Sequence, residues 1–94
     1  MDKLALFNAI VKHTRPASHE ELTAKSLDDT FADVGLDSLD TIMVCIYFAE
    51  VYGVSEEVAK ELQPQNVGEC FELFGAHATK HPKSLEEAID NIAF

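Results

Sequence analysis

Apolar residues recur along this chain at helical spacing, and no stretch shows the strict alternation with hairpin chemistry that marks strands. In DKLALFNAIVKHTR, Leu4, Phe7, Ile10 and Val11 share one face, with Lys3 and Lys12 off it. This pattern predicts an amphipathic first helix with Asp2 as N-cap. Pro16 ends it, because the residue before a proline resists the α region. Lys12, His13 and Arg15 suit its negative C-terminal end. Residues 16 to 36 form a long connection, and loops of that length need pinning. Leu22, Leu27, Phe31 and Val34 are the expected pins, and SLDDTFADVG is expected to hold a short helical turn.

The second helix is predicted over Ser38 to Tyr52, SLDTIMVCIYFAEVY. Asp37 or Ser38 caps its start, and Gly53 stops it. On a helical wheel Val44, Cys45, Phe48 and Tyr52 fall on one side. Leu39, Met43, Ile46, Tyr47 and Glu50 fall on the other. A helix this apolar all round is either deeply buried or shows a greasy face to something else. A short helix follows, with Ser55 as N-cap. Another starts at Asn66, with Glu69 at the capping-box position and Val67, Cys70, Phe71 and Phe74 on one face. After Pro82 a last segment carries Ser84 with Glu87 and a Leu85, Ala88, Ile89, Ile92 stripe. The expected fold is an all-α bundle of four helices with a fifth at the C-terminus, in one domain over residues 1–94.

Charge narrows the partners. The chain of 94 residues holds 17 acidic and 7 basic residues, a formal net charge of −10. No Lys or Arg lies between Lys25 and Lys60, while Asp28, Asp29, Asp33, Asp37, Asp40, Glu50, Glu56 and Glu57 do. Such a surface repels nucleic-acid backbones and anionic lipid and steers towards basic partners. Cys45 and Cys70 sit in apolar runs without metal-ligand spacing and read as buried small hydrophobes in a reducing compartment. The N-terminus lacks signal-peptide character and no stretch approaches a membrane-spanning length. A cytoplasmic monomer with no membrane insertion is expected.

One polar position stands out. In DVGLDSLDT, residues 33–41, Ser38 is fenced by Asp33, Asp37 and Asp40. A hydrolase nucleophile elbow needs G-x-S-x-G, which this stretch is not. A calcium loop with Gly35 in sixth place would start at Thr30 and end at Thr41, without the acids it requires. His77 and His81 have the spacing of a helical metal pair but no third ligand, and His13 and His19 stand alone, so no metal site and no catalytic residues are expected. A serine at a helix N-terminus favours a phosphate ester, because the positive end of the helix stabilises the added charge. The stretch reads as a modification site presented to enzymes.

Gly35, Asp37, Ser38, Leu39 and Asp40, opening an apolar helix after a long loop in a small acidic chain, resemble the acyl carrier protein family, whose G-x-D-S-L motif opens the second helix. The resemblance covers residues 1–74. It implies that Ser38 carries 4′-phosphopantetheine, transferred from coenzyme A by a phosphopantetheinyl transferase, with Asp37 and Leu39 flanking the attachment site. It implies acyl groups held as thioesters for acyl-loading, acyl-transfer or synthase enzymes of fatty-acid, lipid or polyketide biosynthesis. The carrier itself would catalyse nothing. Asp40, Met43, Ile46, Tyr47 and Glu50 would meet partners, and Phe31, Val34, Val44, Phe48 and Leu62 would line the acyl shelter.

Two departures point to a dedicated carrier rather than the housekeeping one. The outer face of the second helix is less acidic than usual for the family, with Met43, Ala49 and Val51 at commonly acidic positions. The chain also runs on as GAHATKHPKSLEEAIDNIAF. Either residues 84–93 add a helix to a core of residues 1–74, the favoured reading, or they are the displaced last helix. That extension would alternatively cover the apolar outer face. A small helical adaptor with an unmodified Ser38 is the competing function.

Overall fold

The computed structural model describes residues 2–14 and 23–92. Arg15, Pro16, His19 and Leu22 lie outside the described residues. The described chain forms six helices, α1 (Lys3–Thr14), α2 (Phe31–Val34), α3 (Ser38–Tyr52), α4 (Glu56–Ala59), α5 (Val67–Ala76) and α6 (Leu85–Asp90). No strand occurs among the described residues; one isolated antiparallel bridge joins Thr30 and Asn66. The all-α bundle expected from the periodicity is the observed class, and α2 is the short turn expected within the connection.

Local chemistry sets the boundaries. Asp2 Oδ1 accepts from the Ala5 N–H at 3.2 Å and caps α1. Asn66 and Ser84 cap α5 and α6 through the N–H groups of Glu69 and Glu87. Their glutamates do not close the expected boxes. Glu69 reaches back to the N–H of Gln65, and Glu87 to that of Lys83, each one residue before its cap. Gly53 ends α3 at φ 64°, a left-handed conformation that only glycine adopts without cost.

α3 is the central element. It packs against α1, α4, α5 and α6, and α1 also packs against α6. Phe48 occupies the middle of the core, with ring centroids 6.1 Å from Phe7, 5.1 Å from Phe71 and 5.8 Å from Phe74. Leu6, Phe7, Ile10 and Val11 are the buried side of α1, so Leu6 takes the inner place expected for the half-buried Leu4.

Of the pins expected in the connection, Phe31 and Val34 are buried in the core. The Leu27 side chain is 37% exposed. Ala24 is buried, and the Asn8 side chain holds its backbone at both ends, accepting from the Ala24 N–H at 2.8 Å and donating to its carbonyl at 3.2 Å. Further along, the N–H groups of Val67 and Gly68 donate to the carbonyls of Asp29 and Leu27. The residues past 76 belong to the core: Ala88 and Ile92 are buried with the rest, although Leu85 of the expected stripe is exposed.

Cys70 is fully buried on α5 and both cysteines are free. Burial pushes the Cys70 thiol far above its ordinary range, with the charges of Cys45 and Glu69 adding to the effect, and burial raises Cys45 as well. A folded-state pKa above the unfolded value gives stability that is complete at neutral pH and lost as pH rises past the ordinary thiol value of about 8.5. Urea melts should therefore show a lower midpoint at pH 9.5 than at pH 7.5. The expected slope is up to about 1.4 kcal/mol per pH unit for Cys70, and Cys70→Ala should remove that share and leave the one from Cys45. An equal slope in the variant would refute the assignment.

Candidate functional site

Three aspartates surround Ser38 because two helix starts need them. Thr30 and Asp33 form a reciprocal capping box on α2, with the Thr30 N–H donating to Asp33 Oδ2 at 3.0 Å. Thr30, through its backbone N–H first and its hydroxyl second, holds the exposed Asp33 carboxyl below its usual range. Asp37 and Asp40 form a second box on α3. The Asp40 N–H donates to Asp37 Oδ1 at 2.8 Å, and the Asp37 N–H to Asp40 Oδ2 at 3.2 Å. The aspartate at the third helical position meets the cap's own amide here, whereas the glutamates of α5 and α6 bond the amide one residue before it. Asp29 Oδ2 likewise accepts from the N–H groups of Lys25 and Ser26. Much of the acidic cluster is thus engaged with backbone amides, Asp40 included. Among the described residues no group of three His, Cys, Asp or Glu could hold a metal ion.

The capping acceptor of α3 is Asp37, not Ser38. Ser38 is the first helical residue, exposed, with its hydroxyl outside the cap. A serine kept only to cap would stand one position earlier.

Below Ser38 runs an exposed apolar row. Leu39 is 68% exposed, Ile42 57% and Ile46 45%. Their spacing of three and then four residues places them on one stripe of α3. Met43, Tyr47 and Glu50 are half-buried, and Tyr47 packs against the core. The outer face expected from the wheel is therefore rotated towards Ile42, a residue assigned to neither side there. Its signal was the Leu39, Ile42, Ile46 spacing itself. The C-terminal segment leaves this row uncovered, so it is not the internal cover of the outer face.

A cavity of about 680 Å³ opens between α3 and α4. From α3 come Thr41, Ile42, Cys45, Ile46, Ala49 and Glu50. The opposite wall is Val54, Glu56, Ala59, Lys60, Leu62, Gln63 and Pro64. Its inner surface is apolar and its charged groups, Glu50, Glu56 and Lys60, lie among the lining. Thr41 and Ile42 stand three and four residues after Ser38, on the same side of the helix and one turn below it.

Of the five residues expected to shelter an acyl chain, only Leu62 lines this cavity. Phe31, Val34, Val44 and Phe48 are buried in the solid core on the other side of α3. The reason is size. Phe48 and its aromatic neighbours fill the inner side, whereas Cys45, Ala49 and Ala59 are too small to close the space between α3 and α4.

Compared with protein-family profiles, curated proteins and solved structures, the chain finds no match. The acyl-carrier resemblance therefore rests on the Ser38 motif and its surroundings. No helix among the described residues is long and apolar enough to cross a membrane.

Proposed function

We propose that this protein is an acyl carrier, with Ser38 as the attachment point of 4′-phosphopantetheine and the α3–α4 cavity as the shelter for its cargo. The observation that carries the reading is the placement of an exposed, non-capping serine one turn above an open apolar cavity on the same helix. The site residues fit the group. A phosphodiester on Ser38 would sit at the positive end of a 15-residue helix. Asp37 and Asp40 turn carboxylate oxygens to each other's amides and keep that end rigid. The group's terminal thiol would hold acyl groups as thioesters. Ile42, Cys45, Ile46, Ala49 and Leu62 would then exclude water from a hydrocarbon chain, the burial being worth roughly 0.8 kcal/mol per methylene.

The exposed row of Leu39, Ile42 and Ile46, flanked by Asp40 and Glu50, is the surface offered to the transferase and to acyl-handling enzymes. Exposed apolar area of this kind marks an interaction site, and the net charge favours basic partners. The same row supports a second reading, a helical adaptor that binds a partner through α3 with Ser38 bare.

Incubation with coenzyme A and a broad-specificity phosphopantetheinyl transferase separates the two. The intact mass should rise by one phosphopantetheine, mapped to the peptide containing Ser38. An unchanged mass under conditions that load a control carrier would overturn the carrier reading in favour of the adaptor.

A further inference from the structure

The two walls of the cavity are joined by one short turn, Gly53–Val54–Ser55, between the end of α3 and the cap of α4. Val54 is buried and lines the cavity. Any widening between α3 and α4 must pivot on this turn. A helix leaves its last carbonyls without partners of its own, so those of Val51, Tyr52 and Gly53 are available at the pivot.

The C-terminal segment takes all three. The N–H groups of Thr79 and Lys80 donate to the Tyr52 carbonyl at 2.9 and 3.0 Å. The Thr79 hydroxyl donates to the Gly53 carbonyl at 2.6 Å. From the C-cap of α6, the Asn91 side-chain amide donates to the Val51 carbonyl at 3.3 Å. These bonds come from two places well apart in the segment, and the segment is itself anchored by buried Ala88 and Ile92. Gly53 makes the approach possible, since a Cβ there would collide with the Thr79 hydroxyl and crowd Lys80.

We propose that residues 77–92 are a clamp on the α3–α4 pivot, with Thr79 and Asn91 as positioning residues that keep the cavity from widening. The clamp ties the pivot to the α1–α3–α6 body, and its bonds all fall on Val51, Tyr52 and Gly53, ahead of α4. Widening is thereby restricted at the joint rather than by a lid. The inference concerns the cavity walls and does not depend on what Ser38 carries, so its test uses the unmodified full chain.

Cys45 reports on the cavity, because it lines the wall and is only half-buried, whereas Cys70 is buried. The probe is N-ethylmaleimide under native conditions, with labelling mapped to Cys45 by mass spectrometry. Thr79→Val with Asn91→Leu keeps side-chain bulk and removes two of the bonds. Cys45 labelling should then accelerate by about tenfold, in keeping with two lost hydrogen bonds. Thr79→Val alone, which leaves the backbone bonds in place, should give about a threefold rise and serves if the double variant folds poorly. Thr30→Ala, which removes the cap of α2 remote from the turn, is the control for general loosening and should label at the wild-type rate. Unchanged labelling in the clamp variants overturns the proposal, as does equal acceleration in Thr30→Ala.

Discussion

A Ser38→Ala chain is expected to take up no phosphopantetheine while unfolding within about 0.5 kcal/mol of wild type. The first half follows from the proposed chemistry, since the substitution removes the one oxygen that would form the phosphoester. The second half follows from the cap. Asp37 supplies the acceptor for the Asp40 N–H, and Ser38 is an exposed first-turn residue. Alanine is a better helix former than serine, so nothing structural is lost. Asp37→Ala is the contrasting substitution. It removes the cap and one side of the reciprocal box, at a cost of about 1 kcal/mol. Intact-mass measurement after incubation with the transferase, paired with urea melts, reads both quantities. Uptake by Ser38→Ala equal to that of wild type would place the attachment elsewhere. A loss of several kcal/mol in Ser38→Ala would show that the serine is structural after all.

Phe48→Ala is expected to cost about 3–5 kcal/mol, the range for emptying a buried aromatic site. Phe48 has no solvent exposure, and rings from α1, α3 and α5 surround it. Three elements lose their shared contact at once, so the site cannot collapse around the vacancy. Domains of this size carry only about 5–15 kcal/mol in total, and the variant should be marginally folded at room temperature. Ile42→Ala makes the comparison sharp. It also removes a large apolar side chain from α3, but an exposed one, and should change stability by less than about 0.5 kcal/mol. Urea unfolding of the two variants side by side is the check; similar losses would mean that the core does not centre on Phe48.

Where a boundary depends on neighbouring residues, the sequence was a good guide. The limits of α3 follow from a capping residue at Asp37 or Ser38 and a glycine stop a helix-length on, and the caps at Ser55, Asn66 and Ser84 from side chains that act within one turn. Relations between elements were harder to see. Periodicity shows that Phe48 and Val44 face inward, but not that aromatic rings from two other helices leave no room beside them. The cavity exists because small residues of α3 and α4 come opposite each other, and a wheel drawn for one helix cannot show that. The turn of the outer face towards Ile42 has the same origin, since the position of α4 decides which stripe remains open. Nor does anything in GAHATKHP announce that Thr79 and Lys80 will meet the end of α3.

Gly53 answers to two demands that are separate in physical origin. The chain must reverse its handedness there to leave α3, and asparagine can meet that demand at some cost. The second demand comes from across the fold, where Thr79 rests against the bare α-carbon, and no other amino acid meets it. In descendants of this sequence, position 53 and the tail that leans on it are therefore free to diverge only in concert.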